Sequence, residues 1–233
     1  MVTTIGYLDG LTASGIIISS VLFGLFSFYK ARKLEARLLA VAGLLMVFVG
    51  CFYLGPTCDF LSLLITGNNL NPPELYVYLS YMWVAPVIVT AMYLGSELML
   101  PEKKWIIVGI YFLLGVIFEY FLFFQTEATF IFPLEPAEPG QIIDSKYIRA
   151  SVGFMLVALF LGSALIFLGI GFFIKARQAT GELRKKFTYL SIAFVVFVVC
   201  AGLDSIIDVI AIIGIVRCVM MTFALWMYLG LKT

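Results

Sequence analysis

The stretch that decides the fold is FTYLSIAFVVFVVCAGLDSIIDVIAIIGIVRCVMMTFALWMYLGL, residues 187–231, whose only charged residues are Asp204, Asp208 and Arg217. As one helix its 45 residues would reach roughly 68 Å at 1.5 Å per residue, more than twice a hydrocarbon core of about 30 Å. The run therefore has to fold back as two helices, about 187–207 and 211–231, with the turn between Ser205 and Gly214. Backbone N–H and C=O groups find no water in hydrocarbon, so long apolar runs cross it as helices.

Working back toward the N-terminus, the same criterion marks helices at about 11–29, 38–66, 75–98, 105–124 and 147–174. The expectation is an all-α integral membrane protein: a single seven-transmembrane helix bundle over residues 1–233. Apolar residues at 63% and charged ones at 12% are far from the balance of a soluble domain. Residues 67–74, GNNLNPPE, read as a turn rich in helix breakers. Gln125 to Lys146 is the only sizeable loop, with Glu127, Glu135, Glu138, Asp144 and three prolines. Pro56 and Pro86 lie inside the second and third helices. Each removes a backbone hydrogen bond, and Pro56 is expected to bend its helix near Asp59.

Charge sets the orientation. Lys30, Arg32, Lys33 and Arg37 fall in one connection, Lys103 and Lys104 in another, and Lys175, Arg177, Arg184, Lys185 and Lys186 in a third. These alternate with acidic or uncharged connections, so the positive-inside rule expects the N-terminus outside and the C-terminus cytoplasmic, in a multi-pass protein of the cell membrane. Met1–Gly10 lacks a basic stretch and carries Asp9, so the first helix is expected to be retained rather than cleaved. The basic turns are candidate contacts for anionic lipid or a cytoplasmic signalling protein. A net charge of +1 argues against nucleic acid. The chain has no histidine, and Cys51, Cys58, Cys200 and Cys218 form no CxxC pair, so no metal or other cofactor is expected.

Ionisable groups within spans are costly and need partners or a cavity. Asp59, Asp204, Asp208 and Arg217 all project to the outer half, and Glu119 lies at a similar level. Two readings stay open. One is an outward-opening polar cavity for a small ligand, with Arg217 as an anion anchor or as a counterion held by Asp204 and Asp59. The other is a salt-bridge network locking helices two, six and seven together. Tyr76, Tyr78, Tyr81 and Trp83 read as an interfacial belt, with Tyr78 and Tyr81 as candidate ligand-lining residues. Gly15 and Ser19, then Ser20 and Gly24, give the small-xxx-small spacing of close helix packing.

Residues 78–86, YLSYMWVAP, resemble the third helix of microbial rhodopsins. That family holds retinal on a helix-seven lysine. Here helix seven carries Arg217 and no lysine before Lys232, and Ser80 stands where the counterion carboxylate would be. A guanidinium cannot serve as the amine nucleophile, so a covalent retinal pigment is excluded. The fifth connection, KARQATGELRKKFTYLSIAF, and the overall helix plan resemble the seven-helix sensor modules that precede histidine kinases. That resemblance implies a stand-alone sensory module whose output passes through a separate cytoplasmic partner.

Other classes compete with this reading. A structural subunit of a membrane assembly fits a compact bundle. A proton, ion or small-solute transporter would want a polar path across the whole membrane. Enzymatic chemistry is not expected. There is no histidine for a serine dyad, and Asp59 and Asp204 lack the motif context of a two-aspartate protease.

Overall fold

The computed structural model describes residues 2–207 and 210–231, with side chains omitted at 210 and 211. Its order is α1 (Thr4–Leu34), α2 (Arg37–Cys51), α3 (Leu54–Thr66), α4 (Glu74–Tyr81), α5 (Val84–Met99), α6 (Lys104–Phe124), α7 (Thr126–Thr129), α8 (Val152–Ala164), a π-helical segment (Leu165–Ile170), α9 (Gly171–Gln178), α10 (Gly181–Asp204), α11 (Ile210–Met220) and α12 (Thr222–Leu231). Among the described residues, six helical stretches are long and apolar enough to cross a bilayer. The pair α2 and α3, bent by 47°, makes a seventh if it is counted as one span. Consecutive spans pack in chain order, and α1 closes the ring against α11 and α12. The perimeter is apolar: Trp105 is 70% exposed, Phe124 78% and Ile65 81%, as lipid-facing side chains are.

Both breaks in the second and third spans follow from proline. Pro56 cannot donate to Phe52, and the helix interrupts at Phe52–Tyr53; Pro86 cannot donate to Met82, and it interrupts at Met82–Trp83. The breaks therefore sit one turn before each proline, where the missing bond would have closed. The fifth span is irregular too, with its π-helical Leu165–Ile170 meeting α10 through Ser191, whose hydroxyl donates to the Gly169 carbonyl at 2.7 Å.

Several boundaries differ from the sequence expectation. The first span begins at Thr4 rather than Leu11, because Thr3 caps it by accepting from the Gly6 N–H at 3.1 Å. It also runs on through the basic residues to Leu34, since cations suit a helix C-terminus and nothing breaks it before Glu35, which takes a left-handed φ of 52°. The fifth span starts at Val152 rather than Tyr147. Tyr147 instead pairs with Phe130 in an antiparallel bridge, and Ser151 supplies the helix cap. The sixth starts at Gly181, whose φ of 59° makes the tight reversal through Ala179 and Thr180. Lys175 and Arg177 consequently stand on the last turn of α9, and Arg184, Lys185 and Lys186 on the first turns of α10, displayed on rigid helix rather than loop. The turn after Asp204 falls within the expected interval, and Asp208 lies outside the described residues.

Small residues on α1 serve two neighbours. Ser20 and Gly24 face α2, where a Cβ on Gly43 would stand 2.9 Å from the Gly24 carbonyl oxygen; Gly15 and Ser19 face Met221, whose carbonyl accepts from Ser19 at 2.8 Å. Gly43→Val is therefore expected to force α1 and α2 apart and cost about 1–3 kcal/mol, read as a lower melting temperature in detergent. An unchanged melt would mean that the two helices tolerate a wider spacing.

Candidate functional site

Residues 125–151 form an ordered cover on the bundle end that also carries the N-terminus. Its own Phe130, Leu134, Ile142 and Ile143 are buried, and Thr3 donates its N–H to the Gly140 carbonyl at 3.0 Å. Under this cover lies a cavity of about 140 Å³. The two proline breaks supply one side of it, through Phe52, Tyr53 and Pro56 on the second span and Tyr81 and Val84 on the third. Val87, Ala91, Leu161 and Ala164 make an apolar floor, and Phe160 and Phe197 stand in the far wall. Asp144 and Ser205, both exposed, border its mouth, with Ser145, Tyr147, Asp204 and Arg217 completing the polar end.

Arg217 is 7% exposed and doubly clamped. Its Nε donates to Asp204 at 3.1 Å, and its Nη1 pairs with the carboxylate of Asp9 and reaches the Asp9 carbonyl at 3.3 Å. The guanidinium also stacks over Tyr53, 5.4 Å from the ring centroid, while the Tyr53 hydroxyl donates to Asp204 at 3.4 Å. This ties α1, the break between α2 and α3, α10 and α11 together at one point. A guanidinium holding two carboxylates has no positive charge left over, so it is poorly placed to anchor an anion.

Asp59 does not join that cluster. It is fully buried and accepts three N–H bonds elsewhere: from Asn69 Nδ2 at 2.8 Å, Leu70 N at 2.6 Å and Ile143 N at 2.8 Å. Asn69 also donates to the Gln141 carbonyl at 2.9 Å. The carboxylate thus fastens both the 67–73 turn and the long cover to α3, and the expected Asp59–Arg217 counterion pair is replaced by Asp9–Arg217. Asp59 and Asp204, offered by the sequence as a carboxylate pair, have separate partners. Tyr81 lines the cavity and its hydroxyl bonds to Ser145 at 3.1 Å. Tyr78 lines a different, more open recess of about 580 Å³ and bonds to Thr126 at 3.2 Å. Glu119, on α6, is not part of the cavity lining. Neither of its buried oxygens makes a hydrogen bond of ordinary geometry, although the Ala85 N–H beside Pro86 approaches it.

Tyr147 lies in the cover, and burial holds its phenol well above the ordinary range, so the hydroxyl stays neutral; it has no hydrogen-bond partner among the described residues. Sequence reasoning missed Asp9, Tyr53 and Asn69. The Thr3–Thr4 cap signal could have placed the Asp9 carboxylate inside the first helix, though not against Arg217. The five basic residues at the opposite end lie far from this chemistry in the fold, and there Lys185 pairs with Glu182 at 3.0 Å. Compared with protein-family models, curated proteins and solved structures, the chain matches none.

Proposed function

We propose that this chain is a non-enzymatic seven-helix membrane sensor or receptor-like protein that binds a small ligand in this cavity. The observation that carries the reading is the cavity itself: polar at its mouth, apolar at its floor, and flanked by two proline breaks. Pockets of this make-up are the usual form of small-molecule sites. The basic end of the bundle faces the cytoplasm by the positive-inside rule, which places the cavity mouth outside. Lys175, Arg177, Arg184, Lys185 and Lys186 then present a fixed cationic surface to anionic lipid and to a separate signalling partner with an acidic face.

Three single-cysteine substitutions test orientation and access together, using a membrane-impermeant thiol reagent on intact cells. Asn68→Cys, on an exposed turn, and Ser205→Cys, at the mouth, are expected to label above the wild-type background, while Lys186→Cys labels only after lysis. The reverse pattern would overturn the orientation. Labelling at Asn68→Cys but not at Ser205→Cys would mean a sealed cavity and would favour a structural subunit of a membrane assembly. That second reading draws on one observation, the complete pairing of Arg217 within the bundle.

Neutralising the five basic residues to Gln is expected to weaken binding of detergent-solubilised protein to anionic vesicles by at least about tenfold, at roughly 1 kcal/mol per residue near the surface. Equal binding by both forms would remove the cationic surface from the account.

A further inference from the structure

The charges and ring faces around the cavity restrict what can occupy it, given the reading of it as a ligand site. Arg217 is the one cation lining it among the described residues, and both Asp9 and Asp204 already hold that guanidinium. Within that cluster, among the described residues, the two carboxylates of Asp9 and Asp204 share the one guanidinium of Arg217. The surplus is one negative charge. An anionic head group would meet that surplus in a partly dehydrated place, whereas a cation would balance it.

The walls point the same way. Tyr76, Tyr81, Tyr147, Phe160 and Phe197 all line the space, and aromatic faces attract an ammonium most strongly where water is scarce. Tyr53 already uses its face in this way on Arg217. Below them, Val87, Ala91, Leu161 and Ala164 offer nothing but hydrocarbon. The volume of about 140 Å³ is close to that of an apolar cavity known to take up benzene, about 150 Å³.

We propose that the cavity binds a small primary amine with an aromatic or short aliphatic body, its ammonium at the carboxylate-rich mouth and its body on the apolar floor. The distinguishing probes are benzylamine, benzyl alcohol and benzoate, which share one ring and differ in the charge of the head. Each is titrated into the full chain in detergent, following both melting temperature and ligand-induced change in tyrosine fluorescence. Benzylamine is expected to bind at least about tenfold more tightly than benzoate, and more tightly than the alcohol. Ala164→Leu and, separately, the half-buried Ala201→Leu fill the space from two helices; either one, if folded, is expected to abolish the benzylamine response.

The failures are separable. Benzoate or benzyl alcohol binding as well as benzylamine, and being lost in the filled variants, would overturn the amine preference and leave the receptor reading standing. A benzylamine response that survives filling would overturn the assignment to this cavity. No response to any of the three would overturn both the amine proposal and the receptor reading on which it rests.

Discussion

Arg217→Ala is expected to remove most of the folded protein. Two carboxylates, with side chains only 16% and 20% exposed, would be left facing one another without their shared counterion. Breaking a buried ion pair from one side costs about 3–5 kcal/mol, a large share of the 5–15 kcal/mol by which proteins are typically stable. The measurement is the yield of monodisperse protein in detergent, together with its melting temperature. Arg217→Lys should lie between, because an ammonium cannot reproduce the planar fork that serves Asp204 from Nε and Asp9 from Nη1. Restoring the balance instead of the charge should rescue the fold: Arg217→Met combined with Asp9→Asn and Asp204→Asn is expected to recover much of the yield. Wild-type yield from Arg217→Ala alone would remove the cluster from the account of stability, and with it the idea that α1, α10 and α11 are tied there.

Asp59→Ala is expected to act at a different place and to a similar degree. It strips the acceptor from two backbone N–H groups and one amide, at about 1.5–3 kcal/mol for each bond to a charged group, although the three will not add independently. The specific signature is release of the cover, so limited proteolysis within residues 125–146 should quicken well before the bundle unfolds. Asp59→Asn keeps one oxygen but turns the other into a donor facing donors, and should give a milder form of the same effect. Slow proteolysis in Asp59→Ala would show that the buried Phe130, Ile142 and Ile143 hold the cover unaided.

The apolar runs announced helices long and apolar enough to span, because that requirement applies to the whole length of a helix and can be counted residue by residue. A bend at Pro56 was legible in kind, but it falls at Phe52–Tyr53, a turn before the proline, rather than near Asp59, and the break before Pro86 was not expected. Helix ends were less legible. Ser151 and the Thr3–Thr4 pair are cap signals of a single residue, easily outweighed by an apolar run beginning nearby. The partners of Asp59 and Arg217 were beyond reach for another reason: Ile143 is 84 residues from Asp59 and Asp9 is 208 from Arg217, and no local pattern encodes such distances. The 125–146 stretch misled most. Its acids and prolines read as a solvated loop, whereas its apolar residues, Phe130, Leu134, Ile142 and Ile143, are what dock it onto the bundle.

The break at Phe52–Tyr53 separates two segments with different attachments. Below it α2 is pressed against α1 through Gly43 and Gly24; above it α3 also meets α1, Phe60 against Gly10 and Tyr7, and is in addition fastened by Asp59 to the cover and the 67–73 turn. A tug on the cover would thus be transmitted to α3 and taken up at the joint, with α2 as the fixed arm. Tyr53 is that joint, and its ring is also the platform on which the Arg217 guanidinium rests. The side chain that ends the lower arm therefore also carries the ion cluster of α1, α10 and α11, so the cover, the break and the cluster share one residue at their junction.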